Sequence, residues 1–123
     1  MTKIIIVDID ETICSTPNIE GKNYYEYSIP NYVNIHKVNK LYDQGHKIVY
    51  WTARGMSTGN IPRDLTIRQL NTWKVKYHEL RFEKPSYDYW IDDKAINALD
   101  FMKDDYADPS IGGWRVPVEL ITE

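Results

Sequence analysis

The run Lys3-Ile4-Ile5-Ile6-Val7 leads straight into Asp8-Ile9-Asp10-Glu11-Thr12. A short, continuous apolar run of this kind reads as a strand buried on both faces of a parallel sheet. Two carboxylates separated by one residue then sit at the carboxyl end of that strand, the edge at which open α/β sheets bind ligands. Carboxylates are costly to bury unless they are paired or bound to a metal. The pattern therefore points to a divalent cation at this edge and to phosphoryl transfer as its chemistry.

Three more β-prone runs follow. Lys47-Ile48-Val49-Tyr50-Trp51 ends at Thr52, a weaker one covers about 77–82, and a fourth over 87–91 ends at Asp92-Asp93. Helical spacing lies between them. A helix is predicted over about 32–44, opened by Pro30-Asn31 and closed by Gly45, with Val33, Val38, Leu41 and Tyr42 facing the sheet. A second is predicted over about 62–74 with Leu65, Leu70 and Trp73 inward, and a third over 94–102. This order predicts an α/β fold, a Rossmann-like three-layer α/β/α arrangement around a central parallel sheet. Right-handed crossovers bring the strand ends to one edge, so Asp8, Asp10, Thr52, Asp92 and Asp93 are expected in one cleft. Residues 13–30, with Pro17, Gly21 and Tyr24, Tyr25 and Tyr27, read either as a flap over that cleft or as a surface loop packed by tyrosines. From Asp104 a C-terminal extension carries turn signals at Asp108-Pro109 and Gly112-Gly113, and Trp114, Val116 and Val118 suggest an extended segment.

The chain has 123 residues, enough for one domain with a substantial core. Its net charge of −3 gives no general attraction to nucleic acid or to acidic membranes, so neither is an expected partner. Cys14 is the single cysteine, which excludes an internal disulfide and suits a reducing cytoplasm. Cys14 itself reads as a packing residue. The N-terminal run is interrupted at Asp8, shows no signal-peptide cleavage pattern, and nothing reaches membrane-spanning length; the expectation is a cytoplasmic protein. His36, His46 and His78 lack metal-ligand spacing and read as structural or surface residues.

Taken in order, Asp8-Ile9-Asp10-Glu11-Thr12, Thr52, Lys84-Pro85 and Asp92-Asp93 resemble the four motifs of the haloacid dehalogenase superfamily of phosphatases. The resemblance covers roughly residues 1–102. Tyr50-Trp51-Thr52-Ala53-Arg54-Gly55, Trp73-Lys74-Val75-Lys76-Tyr77-His78-Glu79-Leu80 and Lys84-Pro85-Ser86-Tyr87-Asp88 further resemble small phosphatases of capsular polysaccharide biosynthesis. D-x-D alone is a weak signal, whereas four motifs in order, each placed by a predicted strand, are a specific one.

The resemblance implies an Mg²⁺-dependent phosphomonoester hydrolase acting through an aspartyl-phosphate, with a sugar phosphate as the expected substrate. Asp8 would be the nucleophile. Asp10 would protonate the leaving oxygen and then activate water. The Mg²⁺ ligands carried over are Asp8, the backbone carbonyl of Asp10 and an acid of the Asp92-Asp93 pair, with Asp93 expected as the indirect ligand; the division between the two stays open. Thr52 and the backbone N–H groups of Ala53 and Arg54 would hold phosphate oxygens. Lys84 would neutralise nucleophile and phosphate. Arg54 reads either as a grip on a second anionic group of the substrate or as a surface ion pair. Thr12 would brace the first loop. Glu11 departs from the pattern, standing where the family often has glycine.

The intervals after the first motif and between the second and third are too short for a full cap domain. An uncapped core with a small flap is expected, closed by a neighbouring subunit in a homo-oligomer or by a large substrate. Two other classes fit less well. A phosphoacceptor receiver domain has its acidic pair first and its phosphorylated aspartate mid-chain, the reverse of the order here. An inactive relative that only binds a phosphorylated ligand would not need competent residues at every catalytic position.

Overall fold

The computed structural model describes residues 2–103. In chain order it contains β1 (Ile4–Val7), β2 (Cys14–Ser15), β3 (Asn18–Ile19), β4 (Lys22–Asn23), a 3₁₀ turn (Tyr25–Tyr27), β5 (Ile29–Pro30), α1 (Tyr32–Asp43), β6 (Lys47–Trp51), α2 (Arg63–Thr72), β7 (Glu79–Arg81) and α3 (Ala98–Met102). The main sheet is parallel in the order β1-β6-β7, with Ile4 opposite Lys47, Val7 opposite Tyr50, and Trp51 opposite Arg81. The chain is thus an α/β protein in which β1, β6 and β7 end at the same edge.

Local sequence explains the elements. The Asn31 side chain accepts the Asn34 N–H at 3.1 Å and starts α1, and Gly45, at φ +97°, ends it. Ile35, Val38 and Leu41 recur at helical spacing and are buried, while Val33, expected inward, is exposed. α2 buries Thr66 and Leu70, and Trp73 follows at its end; Leu65 is only half-buried. β6 is the central strand, with Ile48, Val49 and Tyr50 buried. His46 and His78 are structural: their Nδ1 atoms accept the backbone N–H groups of Lys3 and Ile48 at 3.2 and 3.0 Å.

Three expectations are corrected. β1 is not buried on both faces: Ile4 and Ile6 are 69% and 61% exposed. Among the described residues β1 pairs only with β6, so it forms an edge of the described sheet. The expected fourth strand over 87–91 does not form. Tyr89 and Ile91 are exposed, while Tyr87 and Trp90 pack on each other (5.1 Å between ring centroids) and Trp90 meets Trp51 edge-on at 6.4 Å. Aromatic contact, rather than strand pairing, organises this segment. The third helix starts only after Asn97, whose side chain accepts the Leu99 N–H at 2.9 Å.

Residues 13–30 form two small antiparallel pairs, β2 with β5 and β3 with β4. Glu20 and Gly21 link β3 to β4, both at positive φ, as a tight two-residue hairpin requires. Buried Asn34 ties α1 to the chain around it, donating to Thr12 O at 2.8 Å and Ala98 O at 3.4 Å. No helix among the described residues is long and apolar enough to cross a membrane. The C-terminal extension over 104–123, with its expected turns and extended segment, lies outside the described residues.

Candidate active site

β1 stops at Val7 and the chain turns at once: Ile9 O accepts the N–H groups of Thr12 and Ile13 at 3.1 and 2.9 Å. Ile9 and Ile13 are fully buried and anchor this turn from below. Asp8 and Asp10, on either side of Ile9, are left at the end of the sheet and are only half-buried. Glu11 holds φ at +62°, a region that favours glycine, and its Oε1 accepts the Thr16 N–H at 3.0 Å. The residue that departs from the family pattern therefore fills a glycine-like conformation and uses its side chain to tie the turn to β2.

The ends of the other two strands converge on Asp8. Thr52 N–H donates to Arg81 O at 2.9 Å, and Lys84 N–H donates to Thr52 O at 3.1 Å. Lys84 Nζ lies 3.5 Å from Asp8 Oδ2, and Asp8 Oδ1 accepts the Ile9 N–H at 2.8 Å. The Lys84 ammonium also lies over the rings of Tyr87 and Trp90, at 5.3 and 5.4 Å from their centroids. Burial raises the Asp8 carboxyl above its ordinary value; Lys84 and the Ile9 N–H pull it back down, and the Asp10 charge pushes it up.

Arg54 is neither at the surface nor open to a substrate anion; its side chain is fully buried. Nε donates to both Asp10 oxygens at 3.2 and 3.0 Å, and Nη2 donates to Asp10 Oδ1 at 2.9 Å. Nη2 also reaches Ser28 Oγ at 3.3 Å, while Nη1 donates to Thr66 Oγ1 at 3.1 Å and Gln69 Oε1 at 2.6 Å. The Tyr25 ring covers the guanidinium, 4.9 Å from Cζ. A buried cation needs this kind of complete pairing. The expected anion nest is also altered, since the Arg54 N–H is given to Thr52 Oγ1 at 3.1 Å. Gly55, at φ +83°, completes the loop; a Cβ there would meet Asn60 O at 2.5 Å.

Sequence reasoning did not single out Thr16, Ser28, Thr66 or Gln69 for this network. Thr16 Oγ1 donates to Asp10 Oδ1 and lies 2.7 Å from Ser28 Oγ. A signal existed for α2: Thr66 and Gln69 share the inward face with Leu70 and Trp73, and a polar pair there asks for a buried partner. Cys14 Sγ sits beside the same group, 3.5 Å from Asp10 Oδ1, and its thiol is pushed up to about 12 by burial and then by the Asp10 charge.

Asp92 and Asp93 lie on the segment that follows Lys84. Asp92 is exposed, and its oxygens accept from Trp90 Nε1 and Lys94 N–H, both at 3.2 Å. These hydrogen bonds hold its carboxyl below the usual range. No group of three or more acidic, histidine or cysteine side chains that could hold a metal ion forms among the described residues. The Mg²⁺ ligands that the resemblance implies, Asp8, Asp10 and the Asp92-Asp93 pair, thus form no such group among the described residues.

A cavity of about 330 Å³ opens between the β3–β4 hairpin and the loop after Arg54, lined by Lys22, Asn23, Tyr25, Ser57 and Asn60 among others. Tyr25 connects it to the Arg54–Asp10 pair, since the Tyr25 hydroxyl accepts the Gly55 N–H at 3.4 Å.

The crystal structure of an MCSG target from Vibrio cholerae is similar to this chain, with a TM-score of 0.71 and 24% sequence identity over 98% of this chain and 94% of that one. At that identity the likeness is one of fold. No protein-family profile matches the chain, and no curated protein matches it.

Proposed function

We propose that this chain hydrolyses phosphomonoesters through an aspartyl-phosphate on Asp8. The carrying observation is the convergence of Asp8, Lys84 and Thr52 at one end of a parallel sheet, with Asp10 one turn away. In the first step an Asp8 carboxylate oxygen attacks phosphorus and the bond from phosphorus to the ester oxygen breaks. Asp10 delivers a proton to the departing alkoxide. In the second step Asp10 takes a proton from water, the water oxygen attacks phosphorus, and inorganic phosphate leaves with Asp8 restored. Lys84 offsets the negative charge that gathers between Asp8 and the phosphoryl group.

The motif order supports an uncapped haloacid-dehalogenase-like core, a three-layer α/β/α arrangement, as the finer description of the fold. The resemblance also implies Mg²⁺, but Asp8, Asp92 and Asp93 form no metal-holding group among the described residues, so no step is drawn through a metal. A sugar phosphate is the substrate the resemblance implies. A cytoplasmic location and closure of the open site in a homo-oligomer belong to the same reading.

The test is phosphate release from a panel of sugar phosphates, nucleotides and p-nitrophenyl phosphate, with wild type and Asp8→Asn. Turnover lost in the variant supports the reading. Stoichiometric labelling by acetyl phosphate without turnover would replace it with a receiver-like role, and ligand binding without labelling or turnover with an inactive binder.

A further inference from the structure

The sequence pattern offers Arg54 as a grip on substrate, but every nitrogen of its guanidinium is already engaged inside the protein. Nε and Nη2 hold Asp10, Nη1 holds Thr66 and Gln69 of α2, and Nη2 reaches Ser28 beside β5. A planar guanidinium has five N–H donors in a fixed fork, so using its two edges on different elements fixes the relative placement of those elements. Here one edge fixes a carboxylate and the other is anchored in a helix.

The second half of the observation concerns the flap. Thr16 and Ser28 lie in the 13–30 segment and contact each other; Thr16 donates to Asp10, and Ser28 meets Arg54. Tyr25 of the same segment covers the Arg54 plane, and its carbonyl accepts Gln69 Nε2 at 2.6 Å. Gln69 therefore receives from Arg54 through one atom of its amide and holds the flap through the other. Asp10 and the flap are thus tied to each other directly through Thr16, and to α2 through Arg54 and Gln69.

We propose that Arg54 is the positioning residue of the proton-transfer group: it orients Asp10 and couples that orientation to the seating of the 13–30 flap. The proposal rests on the phosphatase reading for the role of Asp10, while the coupling of Arg54 to the flap stands on geometry alone. A flap lifted by a large substrate would release Thr16 and Ser28 together and leave Asp10 held by Arg54 and the core Cys14 thiol. Asp10 would then be competent mainly when the flap is down.

The experiment compares leaving groups. p-Nitrophenolate departs without needing a proton, whereas an alkoxide needs one. Arg54→Lys keeps the charge but loses the fork, and its kcat on glycerol 2-phosphate is expected to fall on the order of 10²-fold, the scale of general acid catalysis. The loss on p-nitrophenyl phosphate is expected to be at least about tenfold smaller, with KM for both within about threefold of wild type. Equal losses on both substrates would overturn the proposal in favour of a structural role. A rise in KM confined to substrates with a second anionic group would overturn it in favour of a substrate grip. Gln69→Leu, which removes the shared anchor but leaves Asp10 and Arg54 in place, is expected to show the same leaving-group selectivity to a smaller degree, and serves if Arg54→Lys does not fold.

Cys14 gives a readout that needs no turnover. Its thiol lies 3.8 Å from Arg54 Nη2 and is buried. Labelling of native protein by a thiol reagent is expected to accelerate at least tenfold in Gln69→Leu with the circular dichroism unchanged. If wild type hydrolyses nothing but labelling still accelerates, the phosphatase reading fails and the flap coupling stands. An unchanged labelling rate overturns the coupling itself.

Discussion

Lys84 Nζ lies 3.5 Å from Asp8 Oδ2, joining a loop after β7 to the end of β1 across the whole described sheet. Lys84 is the largest influence lowering the Asp8 carboxyl, against the burial that raises it. On the proposed reading Asp8 is the nucleophile and must be ionised, so this pair would set the acid limb of the pH–rate profile. Lys84→Ala is expected to lower kcat by roughly 10²–10³-fold, as for loss of one charge-stabilising donor. It should also move the acid limb to higher pH. An acid limb that stays in place would separate it from Asp8.

The Asp8 carboxyl also makes stability depend on pH. Its folded-state value is raised above the ordinary 3.8, chiefly by burial. Between those two values the folded chain binds more protons than the unfolded one, so stability falls as pH rises through that window. Asp8→Asn removes the ionisation. Thermal melts in EDTA are expected to show the variant more stable than wild type by a few degrees at pH 7, with the gain shrinking toward pH 4. A variant less stable than wild type at pH 7 would contradict this assignment.

Glu11 sits at φ +62°; its N–H donates to Cys14 O at 2.8 Å, and its carboxylate accepts the Thr16 N–H at 3.0 Å. Glycine would relieve about 1–2 kcal/mol of backbone strain and lose a hydrogen bond of similar worth. Glu11→Gly is therefore expected to be near neutral. Glu11→Ala keeps the strain and loses the bond, and should be about 1 kcal/mol or more less stable than Glu11→Gly. Urea melts of the two variants decide this; equal midpoints would mean that the positive φ carries no cost here.

Asp92 and Asp93 are the members of the expected metal site that form no metal-holding group with Asp8 among the described residues. The Mg²⁺ that the resemblance implies predicts turnover lost in EDTA and restored by Mg²⁺, and a raised Mg²⁺ concentration for half-maximal rate in Asp92→Asn. A Mg²⁺ response unchanged in both Asp92→Asn and Asp93→Asn would remove this pair from the site.

Much of this arrangement was legible in the sequence. The runs before Asp8 and Thr52 gave β1 and β6, and the Asn31 cap and Gly45 gave the limits of α1, because hydrophobic period and local turn chemistry decide such elements on their own. The pairing of Lys84 with Asp8 is what the resemblance implied. The surroundings of Arg54 were not legible: Thr16, Ser28, Thr66 and Gln69 come from three separate elements, and no local pattern marks small polar residues that meet only after folding. The segment over 87–91 has strand-like composition, yet Trp90 and Tyr87 find Trp51 and Lys84, so tertiary aromatic contacts override a weak β preference.

The central claim is that Asp8 carries the phosphoryl group. Wild-type protein would be mixed with a ³²P-labelled phosphomonoester, quenched in acid within milliseconds, digested, and the labelled peptide sequenced by mass spectrometry. The account predicts one acid-stable, hydroxylamine-sensitive phosphoryl group on Asp8, absent in Asp8→Asn. Phosphate release at full rate with no label on Asp8, or turnover preserved in Asp8→Asn, would contradict it.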